Sequence, residues 1–394
     1  MNCHYKMFFF IFFLFFNIFI YKKKLIELNK IINQFFDKKK KLNKTENFIN
    51  EKNYIDKCLK FIAINPKLFK RTKKIFATAI IPVYNSEKTI LSSVRSIENQ
   101  NMSEIEIILI NDYSKDNSLK LIKKLQKHDP RIIIINNKKN MGTLYSRSIG
   151  VLNAKGKYIF SLDNDDMFFN TDVFDVVYKI AENGNFDIVK FKKYYIEKKI
   201  FNLNKIERIN LKQKNDIILH QPDLGIYPIV KKGKFAHHDY IIWDKCIRAD
   251  IYKKSVNKLR KDLYNNIISW NEDIIIIYII FNLAKSFKII NKLGIIHIIS
   301  NSSASFTQTP DNKIFCDIFF LNTIFEFSNE NKNKNYAVDY LIKNKRFNYK
   351  FMNNKNKIYL LFILDKMINS KYITENNKNY IKQKIKKITI MKNY

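Results

Sequence analysis

Residues 75–118 read IFATAIIPVYNSEKTILSSVRSIENQNMSEIEIILINDYSKDNS, and their pattern decides the fold class. An apolar run at 75–83 contains Pro82, a residue that belongs at a strand edge or end. Residues 86–99 then set Ile90, Leu91, Val94 and Ile97 at helical spacing, with Ser86 placed to cap them. A second apolar run follows at 105–110. Working outward, the same reading predicts helices at 118–125 and 141–152 and strands at 132–135 and 158–162. Strands alternating with short helices predict an α/β fold, a Rossmann-like and mostly parallel sheet flanked by helices. In such sheets the ligand sits beyond the carboxyl ends of the strands.

Three strand ends therefore share one edge: Pro82-Val83-Tyr84-Asn85, Asn111-Asp112-Tyr113-Ser114-Lys115-Asp116 and Asp163-Asn164-Asp165-Asp166. Any one acid there reads as a solvated surface group. Five in one cleft repel each other, and a cation relieves that cost. A hard divalent ion such as Mg²⁺ or Mn²⁺ takes one or two carboxylates plus phosphate oxygens, which an Asp-x-Asp at a strand end supplies. No Gly-x-Gly-x-x-Gly or Walker-type loop is present, so phosphate charge would be met by metal.

Three ordered motifs, IIPVYNSEKTILSSVRSIENQ, ILINDYSKDNS and NMGTLYSRSIGVLNAKGKYIFSLDNDD, resemble the family 2 glycosyltransferases with the GT-A nucleotide-diphospho-sugar fold. The resemblance runs from about residue 79 to 305. Where the family commonly has Asp-Gly-Ser, this chain has Asp112-Tyr113-Ser114. The resemblance implies that the backbone around Pro82, Tyr84 and Asn85 cradles the nucleotide and that Asp112 hydrogen-bonds the base. It places Arg147 where the family keeps a basic residue near the donor. Asp163 and Asp165 become the Asp-x-Asp pair, Asp165 binding metal directly and Asp163 serving ribose or metal-bound water. Trp243-Asp244-Lys245 resembles a further family stretch: Lys245 could reach a donor phosphate, with a structural lysine as the alternative, and Trp243 is core by default. Glu272-Asp273 corresponds to the pair carrying the general base, Asp273 first and Glu272 in reserve, against the plainer reading of acids at a helix start. His297, in a segment that closes over the donor, is a candidate for diphosphate or metal, or a structural histidine. The implied reaction is inverting, metal-dependent transfer from a nucleotide sugar, with UDP the expected carrier, to a carbohydrate or glycoconjugate hydroxyl.

The rest of the chain organises around that domain. Residues 7–21, MFFFIFFLFFNIFIY, are followed by three lysines and no small-residue cleavage site, which predicts an uncleaved N-terminal membrane anchor. The lysines favour a cytosolic catalytic domain by the positive-inside rule, whereas a Golgi-type anchor would place it in the lumen. Residues 22–73 read as a stalk, 74–305 as the transferase domain with its donor half at 74–175, and 306–394 as a helical extension. The net charge of +35 is mostly lysine and rises together with Asn, Ile, Phe and Tyr. That joint skew points to biased composition rather than to an arginine-rich nucleic-acid surface, so no nucleic acid is expected as a partner. Four scattered cysteines with no Cys-x-x-Cys pair argue against a zinc site and against a disulfide framework. Competing readings are a nucleotidyltransferase, which lacks support from a Gly-rich first loop, and an inactive sugar-nucleotide-binding relative.

Overall fold

Parallel strands covered on both faces read as unbroken apolar runs, and β1 (Ala77–Val83) and β2 (Ile105–Asn111) are buried along their whole lengths. A computed structural model describes residues 72–197, 217–220, 230–231, 234–235, 240–259, 268, 272–299, 310–327, 353–371 and 373–390. The expected membrane segment, almost all of the stalk, Trp270-Asn271 and Ser300-Asn301-Ser302 lie outside these residues. Among the described residues no helix is long and apolar enough to cross a membrane.

The alternation expected from the sequence is present. Strands β1 and β2 are followed by β3 (Ile132–Asn136) and β4 (Tyr158–Ser161), with helices α1 (Ile90–Glu98), α2 (Ser118–His128) and α3 (Thr143–Asn153) between them. These four strands lie in the order β3-β2-β1-β4, all parallel. Beyond them come β5 (Met167–Phe168), α4 (Val173–Asn183), β6 (Ile188–Glu197), β7 (Ile217–His220), β8 (Val230–Lys231), β9 (Lys234–Phe235) and β10 (Lys245–Arg248). Helices α5 (Ala249–Lys258) and α6 (Glu272–Leu283), then β11 (Ser286–Ile299), complete the sheet region. In this half β10 is antiparallel to both β4 and β6, while β6 and β11 are parallel. Three C-terminal helices follow, α7 (Pro310–Phe327), α8 (Asn354–Ile368) and α9 (Glu375–Ile390).

Two details explain how this sequence tolerates its breakers. Pro82 sits within a central strand, yet the pairing of β1 with β4 ends at Ile80. Ile80 O accepts from Leu162 N on the β4 side, and Pro82, two residues on, faces the same side, so its missing N–H leaves no ladder bond unmade. The Pro82 carbonyl instead accepts from Asn164 Nδ2 at 3.1 Å, tying β1 to the acidic loop. Gly150 lets α3 lie directly on the sheet: a Cβ there would stand 2.7 Å from Ile80 Cγ2 and 2.8 Å from Ile110 Cδ1.

One sequence expectation needs correction. Ser86 does not cap α1, which starts at Ile90 behind Thr89, with no side-chain cap. The Ser86 carbonyl accepts from Thr89 N and Ile90 N, while its own N–H donates to Ser118 Oγ at 2.7 Å. It forms a turn bound to the second loop, and the helix begins one turn later.

The helix α6 is apolar around its whole circumference, and Ile274 to Phe281 are all buried. Such a helix needs neighbours on every side. It packs against α3 and α5 on one flank and α7 on another. This burial fixes the N-terminus of α6, with Glu272 and Asp273, beside α3 and the strand ends.

Candidate active site

The first two strand-end loops are braced as one unit. Asn85 N donates to Ser114 Oγ at 3.2 Å, Lys115 N to Asn85 Oδ1 at 2.8 Å, and Glu87 N to Asp116 Oδ2 at 2.9 Å. Asn85 at φ 47° and Tyr113 at φ 63° turn the chain in the left-handed region. Tyr84 and Tyr113 both stay exposed above this platform. Asp112 is buried, and its carboxylate accepts from Asn137 Nδ2, Met141 N and Gly142 N, each at 2.8 Å. It is thus the fastener of the loop before α3, and any contact with a base uses the lone pairs left over.

Arg147 is the hub of the site. The residue, on α3, is 1% exposed. One amino group donates to Asp163 Oδ1 at 2.9 Å, the other to Asp273 Oδ1 at 2.8 Å, with Glu272 Oε1 at 3.7 Å. Burial works against the charge, but Asp273, Asp163 and Glu272 outweigh it and hold the guanidinium protonated. Its Nε has no partner among the described residues. The donor-side and acceptor-side acids named from the sequence, some 110 positions apart, therefore meet on one guanidinium. Arg147, which the resemblance places near the donor, is a strut between these carboxylates.

At the third strand end, Asp166 is fully buried and takes Ile298 N on one oxygen and His297 Nδ1 at 2.9 Å on the other. Burial lifts the Asp166 pKa to about 6 against the pull of His297. Asp165 is raised to about 7, by burial first and then by the charges of Asp166 and Asp163. Burial opposes protonation of His297, but its hydrogen bond to Asp166 and the charges of the acidic loop raise its pKa. The His297 ring stacks on Trp243 at 4.9 Å and meets Tyr195 edge-on at 5.4 Å. Trp243 is buried, so it orients His297 from within the core.

Lys245 does not fit the role expected for a donor-phosphate ligand. It is fully buried, and its Nζ donates to Asp244 Oδ1 at 2.6 Å and to the Ile241 carbonyl. Asp244 is shared with Lys193 at 3.0 Å. This is a closed structural ion pair. Pairing of that kind answers the charge problem locally, and nothing short of rotating the side chain out of the core would expose it.

Glu272 and Asp273 differ in how firmly they are held. Asp273 Oδ2 accepts from Ile242 N at 3.0 Å in addition to its bond from Arg147. Among the described residues Glu272 has the longer approach to Arg147 and a bond from its own backbone N–H. Burial, then the neighbouring charges of Asp273 and Asp163, raise Glu272 to about 7, and burial raises Asp273 as well. Asp166, Asn164 and Asp244 carry roles that the sequence did not single out. Their signal was adjacency to the motifs, with partners more than 40 positions away for all but Lys245.

Among the described residues no three His, Cys, Asp or Glu side chains converge as a cage for a metal ion. The donor set still suits Mg²⁺ or Mn²⁺. Asp163 keeps one oxygen free of Arg147, Asp165 lies next to it, and such ions take remaining positions from water and phosphate.

The sequence model for Glycosyl transferase family 2 matches residues 78–247, a span that includes all three strand-end loops and Arg147. The chain carries a family 2 glycosyltransferase domain. It is 30% identical over 234 residues to a cholesterol galactosyltransferase of Borreliella burgdorferi, covering 55% of this chain and 58% of that protein. It is 31% identical over 204 residues to an uncharacterized glycosyltransferase of Methanocaldococcus jannaschii, covering 45% of this chain and 66% of the relative. The chain thus spans less than two thirds of the length of these curated relatives. In fold, the glycosyltransferase domain resembles S. aureus TarS 1-349, with a TM-score of 0.55 at 14% identity over 79% of this chain and 88% of that one. The same TarS fragment in complex with UDP-GlcNAc gives a TM-score of 0.55 at 16% identity, again over 79% and 88%. At this identity the likeness speaks for the fold.

Proposed function

We propose that this glycosyltransferase moves a sugar from a nucleotide diphosphate sugar, with UDP as carrier, to an acceptor hydroxyl with inversion and with help from a divalent metal. The observation that carries the reading is the meeting of Asp163 with Asp273 and Glu272 on Arg147. An acid suited to the donor and acids suited to a base face one cleft at the carboxyl edge of the sheet. The UDP-GlcNAc complex of TarS, on a similar fold, supports the choice of donor class.

In this reading the braced loops of Tyr84, Asn85 and Asp112 seat the nucleoside. Asp163 and Asp165, with His297, would hold Mg²⁺ or Mn²⁺, which would offset the charge of the diphosphate. Asp273, oriented by Arg147 and Ile242 N, accepts the acceptor proton. The acceptor oxygen then bonds the anomeric carbon as the bond to the diphosphate oxygen breaks, and that oxygen leaves with the electron pair. One displacement inverts the centre. A second assignment, Glu272 as base, is favoured by its sparse hydrogen bonding and its pKa near 7.

The acceptor is read as a carbohydrate or glycoconjugate, and the Borreliella relative's name adds a sterol hydroxyl to the classes worth testing. Residues 7–21 are proposed to anchor the chain in a membrane. The test is UDP release by the purified full-length chain across UDP-sugars, with Mn²⁺ or EDTA. Release from one donor, abolished by EDTA and in Asp165→Ala, is the expected result. Metal-independent release that survives Asp165→Ala would remove the metal assignment. Silence with UDP-, GDP- and dTDP-sugars, together with no nucleotide binding, would overturn the reading.

A further inference from the structure

Three non-glycine residues among those described have positive φ: Asn85, Asn185 and Tyr113. Asparagine visits this region readily, whereas a bulky ring does so at a steric cost. Glycine would adopt φ 63° without strain. Strained backbone of this kind persists where the surroundings over-determine it, and it concentrates at ligand sites. The surroundings here are the brace already described. Ser114 N donates to Asn111 Oδ1 and Ser114 Oγ to Val83 O, both at 3.3 Å, while Lys115 N is held by Asn85.

The ring is not a core side chain, since Tyr113 is 43% exposed. It stands at the carboxyl end of β2, beside the β1 end where Tyr84 is 46% exposed. Lys115 Nζ lies 3.5 Å from the Tyr113 ring centroid, over one face. Meanwhile the neighbouring Asp112 is committed to the 137–142 loop. A base arriving at this edge would meet an aromatic face with a cation beside it.

We infer that Tyr113 is a stacking platform for the nucleobase of the donor, held in a left-handed turn for that purpose, with Lys115 setting its ring and adding positive charge. This rests on the reading of the cleft as a nucleotide-sugar site and adds a specific affinity residue to it. Base–aromatic stacking contributes enough per base for its loss to be read directly in a dissociation constant.

The experiment titrates the full-length chain with UDP and, separately, with inorganic pyrophosphate, both with Mn²⁺, by calorimetry. The variants are Tyr113→Gly and Tyr113→Phe, and thermal midpoints are measured beside them. Tyr113→Gly is expected to bind UDP about tenfold more weakly, to bind pyrophosphate unchanged, and to melt no lower than the parent. Tyr113→Phe is expected to bind UDP as the parent does. A purely structural tyrosine would give a lower melting point in Tyr113→Gly with parallel loss of both ligands, and that pattern overturns the inference. Unchanged UDP affinity in Tyr113→Gly overturns it alone, leaving the donor reading intact. A parent chain that binds none of UDP, GDP and dTDP overturns both together.

Discussion

Arg147 shows how much of this site depends on a single charge. Among the described residues it is the cation that donates to both Asp163 and Asp273, and it approaches Glu272 as well. Removing one partner from a buried pair leaves the others uncompensated, at a cost of about 3–5 kcal/mol. Arg147→Met is expected at the lower end of that range, since the Asp163 side chain is 33% exposed and screened. Urea unfolding of parent and variant measures it. The base is separable at the same scale. Asp273→Asn is expected to lower transfer at least about a hundredfold with UDP affinity kept, and Glu272→Gln to lower it less. The reverse order in kcat would move the role to Glu272. Both carboxyls hold protons above the ordinary carboxylate range, because burial disfavours their ionised forms. A base works deprotonated, so transfer is expected to climb with pH until the base is ionised and then to level off; with Glu272 as base, the climb passes through about 7. A carboxyl raised in this way binds more protons folded than unfolded, so its contribution to stability is lost over the same rise. Activity and stability should therefore move in opposite directions with pH, which a paired rate and melting profile would check.

At the scale of elements, the site is positioned by close approach rather than by caps. Helix α3 carries Arg147 and rests on β1 and β2 through Gly150, where a side chain would meet Ile80 and Ile110. Gly150→Val is expected to destabilise by about 1–3 kcal/mol through overpacking, and to reduce transfer further by lifting Arg147 off its acids. Retained stability and retained transfer in that variant would show that α3 has slack the packing does not suggest. Helix α6 places Glu272 and Asp273 in its first turn, so the capping reading and the catalytic reading share the same two residues. Their meeting with Arg147 is a contact that a helix-start role alone does not require.

For the whole molecule, the nine-stranded sheet has two parts: the parallel half presents the three strand-end loops, and the mixed half brings β11 with His297 to the acidic strand end. If residues 7–21 anchor the chain, full-length protein should sediment with membranes and resist high-salt extraction. A chain lacking residues 1–24 should either leave that fraction or be released by salt, which would separate an apolar anchor from attraction of a +35 chain to anionic lipid. Much of this was legible from order along the chain. Apolar runs alternating with helical spacing specify a parallel sheet, and topology then obliges Asn85, Asp112 and Asp163 to share an edge, because every parallel strand ends on the same side. Tertiary structure decided what local pattern does not encode. The burial of Lys245 against Asp244, the commitment of Asp112 to a loop, and the bridging of Asp163 to Asp273 through Arg147 all depend on which distant segments pack together. A side chain's residue type sets what it can bond, and only packing sets whether water, a ligand or a buried partner reaches it first.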